Sequence, residues 1–342
     1  MKYLIKKILS ALLNLVNNIL KLVGYKLIHG PYREKNLSVF IFYKKVYLQK
    51  LNSINNSLIG KAKFFDFNIF HQIYDRRAVF INQWNIESTL IAALASASRV
   101  FKDKDVYDLG ANYGIFSLPY IKDISVKNHI LVEANPFLTT CLNKTFNDNQ
   151  IILNNAITSE LNSKNKFVNL NIIPGGSGSS SMSPEINVSN PFFSYALDVK
   201  PIDPTFLFEN YKKSKNALIK IDIEKQEINL LRNGFFDTLK QHYKDYVILI
   251  EFLISDTDNS FNEEFCSYFK DYPIILFSPH NWKNNNHKIT KNDFLDGRNL
   301  NLNDFYDLRL SKGISLDLNK NNCLEILLFS NESLASKFLN QL

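Results

Sequence analysis

The sequence predicts an α/β fold, a Rossmann-like and mainly parallel sheet with helices on both faces. From residue 104 onward, short β-branched segments alternate with helical segments. Residues 108–114 (DLGANYG) lie where a buried strand turns into a helix. Strands that alternate with helices are typical of a parallel sheet, because each crossover helix covers one of its faces. Ligands of such sheets bind at the carboxyl ends of the strands.

The individual elements follow from apolar runs bounded by Gly, Pro, Asn and Asp. We expect helices over residues 84–98, 115–122, 136–147 and 224–232, the last closed by Gly234. We expect five strands over residues 105–109, 129–133, 150–154, 217–223 and 246–252, and two later strands over residues 274–277 and 323–329. Residues 174–181 and 281–304 have the composition of loops.

Composition and charge narrow the classes of function. The chain has 342 residues, 45% of them hydrophobic, with 40 Lys and Arg against 33 Asp and Glu. Without a long uninterrupted basic block, the net charge of +7 does not predict a nucleic-acid partner. It would suit an anionic substrate, a membrane surface or simply a solvated surface. Three widely spaced cysteines do not predict a zinc site, and they favour a reducing, cytoplasmic location.

Three segments are expected along the chain. Apolar residues recur at helical spacing over residues 1–28, which predicts an amphipathic N-terminal helix. Such a helix could bind the inner face of a membrane peripherally, join a second copy or dock on its own domain; the oligomeric state stays open. Residues 29–99 are expected to form an extension, with a cap over the site as one interpretation, and residues 100–342 the main domain.

Acidic residues around the glycine-containing turn predict the cofactor. Gly110 and Gly114 permit a tight turn and close approach of a ligand. Asp108 precedes this turn, and Glu133 ends the next strand, where a carboxylate can accept hydrogen bonds from ribose hydroxyls. A pyrophosphate-binding site would need a third glycine, and Asn112 stands within the motif instead. The spacing therefore favours S-adenosylmethionine over a nicotinamide cofactor.

Six short stretches resemble the FkbM family of methyltransferases. In chain order they read VYDLGANYGIFSL (residues 106–118), LVEANP (131–136), NNAI (154–157), LDVKPID (197–203), IKIDIEKQE (219–227) and VILIEF (247–252). The resemblance implies a class I methyltransferase fold, S-adenosylmethionine as donor and usually O-methylation. The family's acceptors are often sugars or other hydroxylated natural products. One position departs from the family pattern, because Lys225 stands where the family has glycine.

The resemblance also implies which residues bind the cofactor. By position they are Asp108, Gly110, Asn112, Gly114, Glu133, Asn135, Asn155 and Ala156. An equally acceptable interpretation of Asn135 is a helix N-cap before Pro136.

A second charged cluster predicts the catalytic groups. Lys220 and Asp222 alternate with isoleucines and therefore share one face of a strand, with Glu224 beyond its end. Asp222 or Glu224 is the candidate base that takes the proton of an acceptor hydroxyl. The alternatives are a structural pair with Lys220, or carboxylates that hold a divalent cation. Glu251 and His280 are candidate substrate contacts.

Three functions remain open on this evidence. The first is S-adenosylmethionine-dependent O-methylation of a sugar, glycan or glycosylated small molecule. The second is nicotinamide-dependent oxidoreduction, which the missing glycine disfavours. The third is a non-catalytic, membrane-associated module with a degenerate methyltransferase fold, which the departure at Lys225 keeps open.

Overall fold

The computed structural model describes residues 12, 15–16, 25–32, 37–44, 59–72, 75, 85–146, 149–158, 166–172, 182, 195–224, 226–253, 259–277, 310–312 and 323–341. Four of the predicted features lie outside these residues: Lys225, His280 and the two predicted loops, 174–181 and 281–304.

Sixteen strands are described. They are β1 (Tyr25–Tyr32), β2 (Leu37–Lys44), β3 (Ile59–Phe64), β4 (Phe67–Gln72), β5 (Lys104–Leu109), β6 (Val126–Val132), β7 (Ile151–Leu153), β8 (Ala156–Ile157), β9 (Val168–Ile172), β10 (Tyr195–Val199), β11 (Pro201–Ile202), β12 (Asn216–Ile221), β13 (Asp245–Leu253), β14 (Pro273–Phe277), β15 (Leu310–Lys312) and β16 (Cys323–Phe329).

Seven α-helices and one 3-10 helix accompany them. The α-helices are α1 (Asn85–Ser98), α2 (Pro136–Thr145), α3 (Pro204–Tyr211), α4 (Glu227–Arg232), α5 (Phe235–His242), α6 (Asn259–Ser267) and α7 (Glu332–Leu339). The 3-10 helix covers Ile115–Tyr120.

An eight-stranded sheet organises the chain, in the order β15-β14-β16-β13-β12-β5-β6-β7. The five neighbours from β13 to β7 are parallel, whereas β16 runs antiparallel to both β13 and β14. The strand order reverses beside β5, since β6 and β12 lie on its two sides. This mainly parallel, Rossmann-like sheet confirms the predicted fold class.

Alternate side chains of the central strands build two hydrophobic cores. In β12, Leu218 faces the core that contains α1, α2 and α7, whereas Ile219 and Ile221 face the core that contains α3 to α6. This alternation is the period of two expected of a strand, and because both faces are covered the strand is apolar throughout. The exception is Lys220, which is 5% exposed and therefore requires partners.

Side-chain caps start three of the helices. Asn135, Asp203 and Asn331 each accept a backbone N–H, from Phe137 at 3.0 Å, Thr205 at 2.6 Å and Leu334 at 3.1 Å respectively. In α2 and α3 a proline occupies the first helical position, where its missing N–H has no cost.

Most predicted elements of the sheet are present, with shifted ends. The helix predicted over 224–232 begins only at Glu227, and the one predicted over 115–122 is a 3-10 helix that contains Pro119. Gly234, predicted to close the helix, follows α4 with φ 80°; helix α5, which begins directly after it, was not predicted. The hairpin β3–β4 and helices α3, α6 and α7 were also not predicted.

The N-terminal assignments need correction. Strand β1 begins at Tyr25 and pairs with β2, so the helix predicted over 1–28 cannot extend to residue 28. The physical reason is that residues 25–32 and 37–44 are both rich in aromatic and β-branched residues, which favour strand pairing. Leu12 and Leu15, which are described and helical, are 56% and 58% exposed. No described helix combines the length and apolar character that a bilayer span requires.

Residues 29–99 contribute to the main core. Helix α1 is buried from Leu90 to Ala97 against Val106 and Leu218 of the sheet, and Phe64 and Ile69 of the hairpin join the same cluster. The predicted boundary between residues 99 and 100 therefore passes through one hydrophobic core. The described residues of segment 29–99 do not line the candidate active-site cleft at the carboxyl ends of the strands, so the described part of this segment does not cap that cleft.

Candidate active site

The turn after β5 brings the ends of two strands into contact. Gly110 has φ 79°, and its N–H and that of Ala111 donate to the Val132 carbonyl at 2.9 and 3.0 Å. On the other side, the Asp222 N–H donates to the Leu109 carbonyl at 3.0 Å. A Cβ at Gly110 would lie 1.8 Å from the Asp222 carbonyl oxygen. Glycine is therefore required here both for the left-handed backbone and for the close approach of the β12 end.

Glu133 is held by backbone donors from both of its neighbouring turns. Its Oε2 accepts the Asn112 N–H at 2.7 Å, and its Oε1 accepts the Asn135 N–H at 2.8 Å. Burial raises the pKa of Glu133 to about 7, against the lowering effect of these two hydrogen bonds. An ionised carboxylate has roughly four acceptor positions. Two remain for a ligand, in an orientation that the backbone fixes.

The buried Lys220 side chain joins the turn after β5 to the end of β12. Lys220 Nζ donates to the Gly110 carbonyl at 2.6 Å and lies 3.2 Å from Asp222 Oδ2 and 3.6 Å from Asp108 Oδ1. It also lies 5.2 Å from the centre of the Phe116 ring. Burial alone would lower the pKa of Lys220, but the carboxylates of Asp222 and Asp108 outweigh it and raise that pKa to about 12. The single cation therefore pairs with two carboxylates and fixes the β5 turn against the β12 end.

Asp108 belongs to a buried hydrogen-bonded chain. The Ser117 hydroxyl donates to Asp108 Oδ2 at 2.8 Å, and His129 Nε2 lies 3.0 Å from the same hydroxyl. Burial lowers the pKa of His129 to about 3, so its ring is neutral. Burial also raises the pKa of Asp108, which Lys220 and Ser117 oppose. Asp108 is 2% exposed and does not line the cleft, so in this structure it supports the turn from beneath.

A cleft of about 570 Å³, including the open solvent at its mouth, lies at the carboxyl ends of β5, β6 and β12. Seven of the predicted site residues line it, from four separate segments of the chain: Gly110, Asn112, Glu133, Asn155, Ala156, Asp222 and Glu224. In the sequence these residues belong to separate motifs. They meet in the fold because β6 and β12 lie on the two sides of β5.

Three other predicted residues have structural roles here. Asn135 caps α2, which was the alternative interpretation of this residue. Gly114 has φ 74°, and a Cβ there would lie 2.3 Å from the Phe146 ring, so it serves packing. Glu251, in β13, is half-buried and not among the lining residues. Its charge contributes to raising the pKa of Lys220.

One side of the cleft is apolar. Ala156, Ile157, Leu170 and Met182 line it. The Ala156 N–H and the Asn155 side chain both donate to the Lys200 carbonyl, at 2.9 and 3.2 Å, which fixes this loop. Sequence reasoning missed Leu170 and Met182, because single apolar residues in distant segments carry no signal of a ligand. An apolar surface of this kind suits the flat face of an adenine ring.

Two residues that line the cleft have left-handed backbones without being glycine. Asn112 has φ 53° and Glu224 has φ 52°. Asparagine tolerates this conformation, whereas for glutamate it is strained. Glu224 immediately precedes Lys225, which lies outside the described residues. The strain therefore falls where the sequence departs from the family pattern.

Glu227 is a buried acid beneath the β12 end. It is 3% exposed, and its Oε1 accepts the Ile223 N–H at 2.8 Å. Burial raises the pKa of Glu227 to about 8, with further contributions from Asp222 and Glu251. Within the described residues no group of three His, Cys, Asp or Glu side chains is arranged to hold a metal ion.

Comparison with known proteins gives a family match over part of the chain. Residues 108–272 match the family model described as the methyltransferase FkbM domain. No curated protein matches the chain.

Solved structures give weak likenesses. Precorrin-6y C5,15-methyltransferase from Geobacter metallireducens is 11% identical, with 70% of this chain and 87% of that chain covered and a TM-score of 0.33. TYW2 of M. jannaschii, solved with AdoMet, is 12% identical, with 80% and 84% covered and a TM-score of 0.34. Spermidine synthase, solved with the analogue AdoDATO, is 9% identical, with 91% and 82% covered and a TM-score of 0.37.

Proposed function

We propose that this chain is an S-adenosylmethionine-dependent methyltransferase whose acceptor is a hydroxyl group of a sugar, glycan or glycosylated small molecule. Residues 108–272 match the methyltransferase FkbM domain. The observation that carries the proposal is the cleft itself. Acidic side chains from β6 and β12 line it on the two sides of the Gly110 turn.

The residues of the cleft fit the methyl donor. Glu133 retains acceptor positions for two ribose hydroxyls, because its backbone partners occupy only one position on each oxygen. The apolar side, with Ala156 and Leu170, suits the adenine. Gly110 lines the cleft without a side chain, so the amino-acid portion can approach its backbone closely. When bound, S-adenosylmethionine supplies an electrophilic methyl group on a sulfonium.

Asp222 and Glu224 serve the acceptor side. Both line the cleft at the β12 end, where an acceptor hydroxyl must lose its proton as its oxygen gains the methyl group. Asp222 is already 3.2 Å from Lys220 Nζ, so this pair orients its carboxylate. Glu224 lines the cleft beyond the same strand end. We assign proton acceptance to Glu224 and orientation of the acceptor to Asp222.

The test has two stages on the purified full chain. Calorimetric titration compares S-adenosylmethionine with NAD, for the native protein and for Glu133→Ala. Transfer of a labelled methyl group is then measured to a panel of sugars and glycosides, with O-blocked sugars as the negative acceptors. Glu224→Gln and Asp222→Asn are compared with Glu209→Gln, an exposed acid on α3 that lies outside the cleft.

We expect micromolar binding of S-adenosylmethionine that Glu133→Ala weakens by at least tenfold. Glu224→Gln should lower kcat by about a hundredfold with the donor affinity retained, since general-base catalysis contributes about that much. Glu209→Gln should behave as the native protein. Transfer to nitrogen or carbon acceptors alone would contradict the proposed hydroxyl chemistry, and binding of NAD alone would contradict the donor.

A further inference from the structure

Two buried polar residues from the segment before the sheet lie behind the cleft. Gln72 is the last residue of β4, and Asp75 follows three residues later with only 2% of its surface exposed. The Asp75 N–H donates to the Gln72 carbonyl at 3.1 Å, which ties the two residues together. Neither residue lines the cleft. Buried polar side chains need hydrogen-bond partners, and those of Gln72 and Asp75 lie on the two turns that hold Glu133.

Asp75 holds the turn after β5. The Tyr113 hydroxyl donates to Asp75 Oδ2 at 2.6 Å and accepts the Gln72 N–H at 3.4 Å. Burial raises the pKa of Tyr113 well above its ordinary value, so the hydroxyl keeps its proton and stays a donor. Tyr113 directly follows Asn112, whose N–H donates to Glu133 Oε2 at 2.7 Å. The contact with Asp75 therefore fixes the backbone one residue away from a donor to Glu133.

The Gln72 side chain holds the start of α2. Its Nε2 donates to the Phe137 carbonyl at 3.2 Å; because a carbonyl can only accept, the amide must face α2 with its nitrogen. The Phe137 N–H donates to the Asn135 side chain at 3.0 Å. The Asn135 N–H in turn donates to Glu133 Oε1 at 2.8 Å. Gln72 thus holds the residue that anchors the second donor to Glu133.

Strand β4 is itself fixed against α2. The Phe70 N–H donates to the Thr145 hydroxyl at 3.0 Å, near the far end of the helix. Ile69 of β4 is fully buried in the same core as Leu138 and Leu142 of α2. Gln72 is therefore presented by a packed strand, and rigid elements position a site more precisely than loops do.

We propose that Gln72 and Asp75 are positioning residues for S-adenosylmethionine: through Phe137 and Tyr113 they hold the two backbone N–H groups that orient Glu133. This inference rests on the proposed function, because it concerns the carboxylate assigned to the ribose of the donor. Segment 29–99 thereby supports the donor site from behind. The alternative is that these contacts stabilise the fold and have no effect on the cleft.

The test compares substitutions that remove one hydrogen bond each in the full chain. Tyr113→Phe removes the hydroxyl that Asp75 accepts, and Gln72→Met removes the amide at nearly the same volume. Tyr243→Phe is a matched control, because the buried Tyr243 hydroxyl donates to the buried Asp105 carboxylate at 3.1 Å, near the amino end of β5 and away from the cleft. Calorimetric titration with S-adenosylmethionine and thermal unfolding are measured for each variant.

We expect Tyr113→Phe and Gln72→Met each to weaken donor binding by about tenfold, since a hydrogen bond to a charged group contributes on that order and here loses its alignment. Tyr243→Phe should lower the unfolding temperature and leave donor affinity unchanged. If Tyr113→Phe does not fold, Gln72→Met carries the comparison. Donor affinity that neither variant changes would overturn the proposal.

A double-mutant cycle distinguishes an effect through Glu133 from a general one. In the Glu133→Ala protein, Tyr113→Phe should weaken donor binding less than about twofold, because the carboxylate that it positions is gone. A full tenfold effect in that background would show that Tyr113 acts independently of Glu133, and it would overturn the proposal.

Hydrogen exchange of single amides, followed by NMR in the protein without ligand, gives a second measurement. Tyr113→Phe should speed exchange of the Asn112 amide about tenfold, and Gln72→Met that of the Asn135 amide, whereas Tyr243→Phe should change neither. Unchanged exchange at both amides would overturn the proposal. If the native chain does not bind S-adenosylmethionine, the proposed function is wrong, and these exchange rates still decide whether Gln72 and Asp75 hold the donors to Glu133.

Discussion

Replacement of Gly110 by alanine should separate the cost of close packing from the cost of a left-handed backbone. Gly110 and Gly234 have nearly the same φ, 79° and 80°. A Cβ at Gly234 would meet nothing within 4 Å, whereas one at Gly110 would lie 1.8 Å from the Asp222 carbonyl oxygen and 2.8 Å from its carbon. Gly234→Ala is therefore a matched control that carries the backbone cost alone.

The expected magnitudes follow from these contacts. A left-handed alanine costs about 1 kcal/mol, which Gly234→Ala should show alone. In Gly110→Ala the Asp222 carbonyl must also retreat by more than about 1 Å, against the hydrogen bond from Asp222 N–H to the Leu109 carbonyl. Loss of that bond with its acceptor left buried adds about 1–3 kcal/mol. We expect Gly110→Ala to lower the free energy of unfolding by about 2–4 kcal/mol.

Chemical denaturation of both variants measures the difference, and titration with S-adenosylmethionine measures its effect on the cleft. Gly110→Ala should also abolish donor binding, because Gly110 lines the cleft, whereas Gly234→Ala should retain it. Equal destabilisation by the two substitutions would refute the inference that β5 and β12 meet at van der Waals distance. Retained donor binding in a folded Gly110→Ala protein would refute the place of this turn in the cleft.

Three further predictions concern buried polar groups. If only ionised Glu133 binds ribose, its pKa of about 7 predicts that donor affinity falls about tenfold from pH 8 to pH 6; calorimetry should show this dependence, and Glu133→Gln should lack it. The pKa of Glu227, raised to about 8, means that the folded protein keeps a proton that the unfolded chain releases. The stability from Glu227 is thus complete below about pH 4.5 and lost as pH rises to about 8. In Glu227→Gln, the free energy of unfolding measured by chemical denaturation should fall less steeply across this pH range than in the native protein. An unchanged slope would contradict the raised pKa of Glu227. Ser117→Ala should destabilise by about 1–3 kcal/mol in thermal unfolding, because Asp108 and His129 both lose a buried partner, whereas no change would mean that they re-pair.

The strands that carry the site could be predicted because their information is local. Buried strands are largely apolar, so the parallel strands β5, β6, β12 and β13 and the antiparallel strand β16 were located to within a few residues. Residues 108–272 match the model of the family that the motifs resembled. The helix after β12 was placed too early, since nothing in the sequence marks Glu224 as left-handed rather than helical.

Sequence alone determined the fold class and which acids follow which strands, and it predicted the family resemblance and the methyl donor. These depend on the periodicity of apolar residues and on short motifs, and both are written within a few neighbouring positions. Only the tertiary structure decided that Glu133 is held by two backbone N–H groups and that Asp108 is buried beneath the turn on Ser117 and Lys220. Each of these arrangements joins segments far apart in the chain, and their contacts exist only after the sheet has fixed its strand order.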